Sequence, residues 1–371
     1  METIIPVDQG DVIGAVKGFL QGLMETNLLD ALFVPIEVEG GAVIPTLVTD
    51  VRLLNQANPL APVMPINGAR AVSALTGKQA PVRLGVVLRS CEIRALIELV
   101  KLQQASLEGV VLIGIDCPGT YENVEYIKMH GNGGFDLAAF FTAAIDGREP
   151  VVPSITRRMA CRMCAQPIPE NVDVHFHLLG VDRSSGIPVT MKDEIALRLG
   201  LEALEFTQDK SQLEKYLQNR AQVRTQELES MRIRLASDGG TANLFAACIR
   251  CHNCMTACPI CYCKTCLFKS SSFDHEPAFY YQAARRKGAL RMMSDTLLFH
   301  MTRLNHMSTS CVSCGMCTSA CPEDIPVGLF FSAVAAQVQA AFEYNPGRSL
   351  DDKLPLITFA TEEWLEIGEE K

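Results

Sequence analysis

The sequence predicts an α/β domain followed by a smaller helical domain rich in cysteine. Three observations carry that expectation. Short β-branched runs alternate with helical periodicity through the first half of the chain. A polar helical stretch then stops at Ser237-Asp-Gly-Gly240, and from Cys248 onward helical segments flank tightly spaced cysteines. The expected boundaries are an α/β domain over 1–205, a helical connector over 206–240, the cysteine-rich domain over 241–345 and an acidic tail over 346–371.

Apolar residues recur at helical spacing from Ile13 to Leu29, and Ala31–Val38 follows as a strand. Val82–Leu88 and Gly109–Ile115 are short apolar runs of the kind buried in a sheet. Glu92–Gln104 between them is helical, which makes a strand–helix–strand unit. Asp173–Leu179 reads as a further strand. No G-x-G-x-x-G follows a strand, so nothing points to a nicotinamide-type site. Thr207–Leu235 is a polar helix with Leu213, Leu217, Leu228 and Leu235 as its apolar points.

The 371 residues suffice for two or three domains, and 48% hydrophobic with 20% charged residues is ordinary for a globular protein. Fifteen cysteines are not ordinary. The opening Met1-Glu-Thr-Ile-Ile-Pro-Val-Asp8 lacks the basic and apolar regions of a secretory signal, so the thiols are expected reduced, in the cytoplasm, and mostly as metal ligands. A net charge of -9 without a basic block argues against a nucleic-acid partner. Ile13–Leu32 and Val327–Phe342 fall short of a membrane span and read as core-facing helices.

Two cysteine motifs decide the chemistry. Cys248-x2-Cys251-x2-Cys254-x3-Cys258-Pro259 is the first and Cys311-x2-Cys314-x2-Cys317-x3-Cys321-Pro322 the second. Cysteines three apart on a tight loop reach three corners of an Fe4S4 cube, and the fourth, before proline, reaches the other cube. Cys248, Cys251, Cys254 and Cys321 are thus expected on one [4Fe-4S] cluster, and Cys311, Cys314, Cys317 and Cys258 on the second. Zinc ribbons use paired cysteines but need neither a third at this spacing nor the proline. Together the motifs make an electron-transfer protein.

The segment Pro259–Ser310 between them is long, with helical stretches Pro277–Lys287 and Leu290–His306. It resembles the α-helical ferredoxin domains of fumarate and heterodisulfide reductases. Tyr280, Tyr281, Met292, Leu297 and Leu298 are expected in its core. His300, Arg303 and His306 share a helix face, either as solvent or interface groups or as hydrogen-bond donors to a cluster.

Cys91 and Cys117 each follow a predicted strand, so adjacent parallel strands would present both at one sheet edge. Cys161-x2-Cys164 adds another pair. By spacing alone these four are either a third cluster site or small buried hydrophobes. The stretches Ser90-Cys91-Glu-Ile-Arg-Ala-Leu96, Asp116-Cys-Pro-Gly-Thr120, Cys161-x2-Cys164 and Cys248–Cys266 resemble the beta subunits of coenzyme F420-dependent formate dehydrogenase and F420-reducing hydrogenase, the formate dehydrogenase type most of all. The resemblance covers about Gly10 to Pro326.

The resemblance implies a flavin-type α/β domain with FAD, a third [4Fe-4S] cluster on Cys91, Cys117, Cys161 and Cys164, and an oxidoreductase subunit that passes electrons between coenzyme F420, or a similar hydride carrier, and a partner. That partner would be the catalytic subunit of a formate dehydrogenase or hydrogenase, or heterodisulfide-reductase-like subunits. Gly10, Gly14, Asn67, Gly68, Arg89 and Ser90 are the positions the resemblance sets near the flavin, a helix start suiting its pyrophosphate. Two departures stand out: a family glycine pair reads Gly10-Asp11, and a glycine-serine reads Asn67-Gly68. The alternative is a flavin-free electron relay.

Cys261, Cys263 and Cys266 remain, open to packing, a zinc site or further cluster ligation. Met129–Phe135 is either a turn or a phosphate cradle. The tail Thr361–Glu370 with Trp364 is either a docking segment or a solvated terminus.

Overall fold

The computed structural model describes residues 1–131, 136–145, 148, 155–273, 275–291 and 294–357. The Met129–Phe135 loop in part, Met292 and the tail from Thr361 lie outside the described residues.

One seven-stranded sheet runs in the order β1-β7-β6-β5-β4-β2-β3. Its strands are β1 (Glu2–Pro6), β2 (Ala31–Glu37), β3 (Val43–Val48), β4 (Leu84–Arg89), β5 (Val110–Ile115), β6 (Val174–Phe176) and β7 (Gly186–Met191). β2, β4, β5 and β6 pair in parallel, while β3, β7 and β1 add antiparallel at the two ends. The first helices are α1 (Val12–Glu25), α2 (Gly68–Thr76), α3 (Ser90–Lys101), α4 (Asn123–Gly131), α5 (Leu137–Ile145), α6 (Met159–Arg162) and α7 (Asp193–Leu199). A long α8 (Lys210–Ala236) leads to α9 (Gly240–Leu244), α10 (Asn253–Ala257), α11 (Pro277–Lys287), α12 (Thr296–Met307), α13 (Met316–Ser319) and α14 (Val327–Ala341).

The expected β4–α3–β5 unit and the strands at β2 and β6 are present. β1, β3 and β7 were not expected. Pro6, Pro45 and Pro188 interrupt their apolar patterns, and β3 leaves Ile44 and Leu47 exposed as an edge strand. The stretch expected as a helix from Leu290 becomes helical only at Thr296.

Alternation along the strands divides the core. Leu32, Val34, Val87, Ile113 and Ile115 face one layer with α1. Ala31, Phe33, Leu84, Val86, Leu88 and Leu112 face the other, where they join Phe245, Met255, Phe299, Phe330 and Phe331 of the cysteine-rich part. The packing therefore continues across the boundary expected near residue 205. Separating the two would expose several aromatic side chains at about 1.5–3 kcal/mol each, more than any one hydrogen bond between them holds.

Asp116 fixes the end of β5. Its Oδ2 accepts the backbone N–H groups of Leu178 at 2.9 Å and Leu179 at 3.1 Å, and its Oδ1 lies 2.8 Å from His175 Nε2. Asp116, His175 and His177 form the group of three such donors within 4.8 Å of one another among the described residues. Burial and the neighbouring His175 push the His177 imidazole down to about 4.

Candidate iron–sulfur centres

Parallel pairing sets Arg89 of β4 opposite Ile115 of β5, so Cys91 and Cys117, each two residues further on, emerge at one sheet edge. The α6 turn brings Cys161 and Cys164 to the same place. All four line one cavity of about 160 Å³ together with Ser90, Arg94, Arg220, Arg224, Cys311 and Cys314, among others. Burial pushes the Cys91 thiol well above its ordinary range and Cys117 to about 11. Neutral thiols so deeply enclosed bind metal only by losing their protons, which couples metal binding to proton release.

Buried arginines hold this cavity's backbone. Arg220 donates to the Cys161 carbonyl at 2.7 Å and to the Pro118 carbonyl at 2.6 Å, and Arg157 donates to Pro118 at 3.0 Å. Arg158 donates to the Cys314 carbonyl at 3.0 Å and to Ser319 Oγ at 3.0 Å, so it ties the α6 turn to the second motif. These cations were not anticipated. The signal was the pair Arg157-Arg158 just before Cys161, but Arg220 sits on a helix that reads as a solvated connector. Two glycines permit the approach. Gly119 takes φ +114°, and a Cβ there would meet Cys161 Cβ at 3.3 Å; at Gly315, φ +72°, a Cβ would meet Ala160 Cβ at 2.3 Å.

The two ferredoxin loops share one backbone. Arg250 and His252 in the first, and Ser313 and Gly315 in the second, take left-handed φ between 55° and 72°. Each pair follows the first and second cysteines of its motif by the same offsets, and such turns aim successive N–H groups inward. Cys311, Cys314, Cys317 and Cys258 line one cavity with Arg303 and Phe331. Cys251 and Cys321 stand close to Cys248 and Cys254, whose thiols are pushed up by burial first and by the charges of these neighbours second. The fourth cysteine of each motif thus stands with the other motif's three. Burial pushes Cys311 to about 11 and Cys314 to about 12. Cys251 is exposed.

α12 turns His300 and Arg303 inward and leaves His306 exposed, so the anticipated three-residue face is split. Arg303, 3% exposed, donates from Nη1 to Cys254 Sγ at 3.1 Å and from Nη2 to the Cys254 carbonyl at 3.1 Å. Its guanidinium lies against the rings of Phe299 and Phe331. His300 Nε2 stands 3.4 Å from Cys248 Sγ, and its ring stacks on Phe245. Burial pushes this imidazole down to about 3, so it is neutral at physiological pH. Tyr281, Leu297 and Leu298, expected in the core, are exposed on α11 and α12. Apolar character alone does not tell a core face from a surface face when a helix is apolar on both.

The flavin positions are occupied otherwise. Asp11 caps α1, its Oδ1 accepting the Gly14 N–H at 2.8 Å. At α2, Gly68 N–H donates to Glu92 Oε1 at 2.8 Å and Ala69 N–H to Asn67 Oδ1 at 3.1 Å. The Arg89 N–H donates to Glu92 Oε2 at 2.9 Å. A Cβ at Gly68 would meet Leu88 at 2.6 Å, so packing accounts for that glycine. At α1 one N–H group, and at α2 two, are thus taken by the chain's own carboxylates and amide. Ser90 belongs to the cysteine-lined cavity.

The two cysteine loops carry the donor sets of an iron–sulfur protein, and residues 244–325 match the family model of the 4Fe-4S dicluster domain. Along nearly its whole length the chain is similar to beta subunits of F420-dependent formate dehydrogenase. The F420-dependent formate dehydrogenase subunit beta of Methanocaldococcus jannaschii is 25% identical over 92% of this chain and 93% of that protein. The F420-dependent formate dehydrogenase 1 subunit beta of Methanococcus maripaludis is 26% identical over 94% of each. A chain of the F420-reducing [NiFe] hydrogenase complex of Methanosarcina barkeri, 12% identical, superposes with a TM-score of 0.45 over 62% of this chain and 90% of that one. Among the described residues, no helix is long and apolar enough to cross a membrane.

Proposed function

We propose that this chain is an electron-conducting subunit with three [4Fe-4S] clusters, working between a second redox partner and the catalytic subunit of a formate dehydrogenase or hydrogenase. The ligand sets of this reading are Cys91, Cys117, Cys161 and Cys164; Cys311, Cys314, Cys317 and Cys258; and Cys248, Cys251, Cys254 and Cys321. One observation carries it. The cavity lined by the first set has Cys311 and Cys314 in its wall, and the other two sets exchange a cysteine through each motif. When bound, such clusters supply one-electron transfer. The protein's residues enclose them, exclude water and set charge beside them, from the buried sheet edge out to the exposed Cys251.

The second reading is exchange of a hydride with coenzyme F420 through FAD in the α/β domain. Near-complete alignment with relatives named for that coenzyme favours it. The capped starts of α1 and α2 weigh against the expected pyrophosphate site.

Iron, acid-labile sulfide and extractable flavin are measured on the anaerobic chain, which is then titrated with reduced F420 and with dithionite. At least about twelve irons without flavin, bleached by dithionite but not by F420, is the outcome expected of the relay. One FAD per chain with bleaching by F420 establishes the second reading instead. Fewer than about eight irons overturns both.

A further inference from the structure

The three sets above leave Cys261, Cys263 and Cys266 from the chain's fifteen cysteines. They lie on the loop after Pro259, spaced C-x-C-x2-C, and all three line a single cavity of about 220 Å³ with Met255 and Lys269 in its wall. That volume exceeds the 160 Å³ of the cavity lined by Cys91, Cys117, Cys161 and Cys164. The donors are soft: three thiols, with Met255 Sδ standing 3.7 Å from Cys266 Sγ.

Spacing separates one ion from a cluster. Among the described residues, the only group of three metal-binding donors within 4.8 Å of one another is Asp116, His175 and His177. The three loop thiols are spread more widely, as are the ferredoxin sets. A single zinc ion would need them closer, whereas a cubane holds its ligand sulfurs apart on separate irons.

The surroundings are cationic, as an anionic cluster requires. Arg70, Lys264 and Lys269 line the cavity, and Arg70 donates to the Thr256 carbonyl and to the Cys258 carbonyl at 3.3 Å, tying α2 to the end of α10 that leads into this loop. Arg70, Cys261 and Lys264 also line a larger adjoining cleft of about 830 Å³ that reaches Lys78.

From this arrangement we infer that Cys261, Cys263 and Cys266 hold a fourth iron–sulfur cluster, ligated by three cysteines and bordering a cation-lined cleft. The inference rests on the chain's iron–sulfur chemistry and not on the presence or absence of flavin.

The test compares the full-length chain with a Cys261→Ser/Cys263→Ser/Cys266→Ser variant, both reconstituted anaerobically with iron and sulfide. Iron, zinc and sulfide are counted in the same samples, and reduced-state EPR spectra are recorded. The wild type is expected to bind about sixteen irons and the variant about twelve, with one EPR component lost and the others unchanged. Equal iron contents overturn the inference, and so does a loss of zinc in place of iron. If the triple variant does not fold, Cys263→Ser alone, at an exposed position, provides the same comparison. An unchanged EPR spectrum in that folded variant also overturns it. Because the other cysteine sets are intact in both variants, failure here leaves the three-cluster reading standing.

Discussion

Replacing Arg303 by glutamine should lower the midpoint potential of the cluster proposed on Cys248, Cys251, Cys254 and Cys321. The guanidinium is buried, donates twice to Cys254 and lies in electrostatic contact with Cys258 and Cys317 of the neighbouring set. An electron added to a cluster held there would lie roughly 6 Å from the cation, the 3.1 Å donation to Cys254 Sγ plus the step from sulfur to iron. At an effective dielectric of about 20 one unit charge at that distance contributes roughly 2.8 kcal/mol. With about 1.4 kcal/mol per tenfold, and about 59 mV per tenfold for one electron, that amounts to roughly 120 mV. Water at the exposed Cys251 side screens part of it, so the expected fall is about 60–120 mV. Arg303→Lys keeps the charge but loses the two-pronged donation, and should restore more than half of the shift. The assay is an anaerobic redox titration followed by EPR, with iron counted in every preparation. Full iron content with an unshifted midpoint would refute the reasoning, because a buried cation at this distance cannot be electrostatically silent.

Gly315→Ala should cost about 1–3 kcal/mol, since it forces a left-handed φ and drives a Cβ onto Ala160. Thermal unfolding of the holo chain measures it, and adding Ala160→Gly should recover the steric part but not the backbone part. Cys258→Ser should remove about four irons of the cluster set in the second motif and spare the first, as EPR and iron counts would reveal; loss confined to the first motif contradicts the exchange. His177 gives a pH effect of definite sign. Its folded-state value lies near 4, below an ordinary 6.5, so the unfolded chain binds the extra proton between those values. Stability conferred by the neutral imidazole is therefore full above about 6.5 and declines as the pH falls toward 4. The unfolding temperature of His177→Asn should fall less than that of the wild type between pH 7 and 5.5, and parallel curves would exclude the assignment.

The metal chemistry was legible in the sequence because it depends on local spacing. Cysteines three apart on a short loop reach neighbouring corners wherever the loop sits, and proline after the fourth marks where the chain leaves. Strong periodicity likewise announced α1, β4, α3, β5 and α8. What the sequence left open depends on contacts between distant segments. Whether Cys91, Cys117, Cys161 and Cys164 converge is decided by the parallel register of β4 and β5 and by arginines just before α6 and on α8 that close around them. Arg220 reads as a surface charge on a polar helix; only folding buries it against Cys161. His300, Arg303 and His306 share a helical spacing, yet the core takes two and leaves one in water. Gly10 and Gly14 are the positions the resemblance sets at a flavin-binding helix start, but which groups reach that N-terminus, as Asp11 does, is decided by the fold. Spacing along the chain determined which groups could bind iron; the packing of one sheet face against the cysteine loops decided which groups stand together, because burial and close approach arise only between segments remote in sequence.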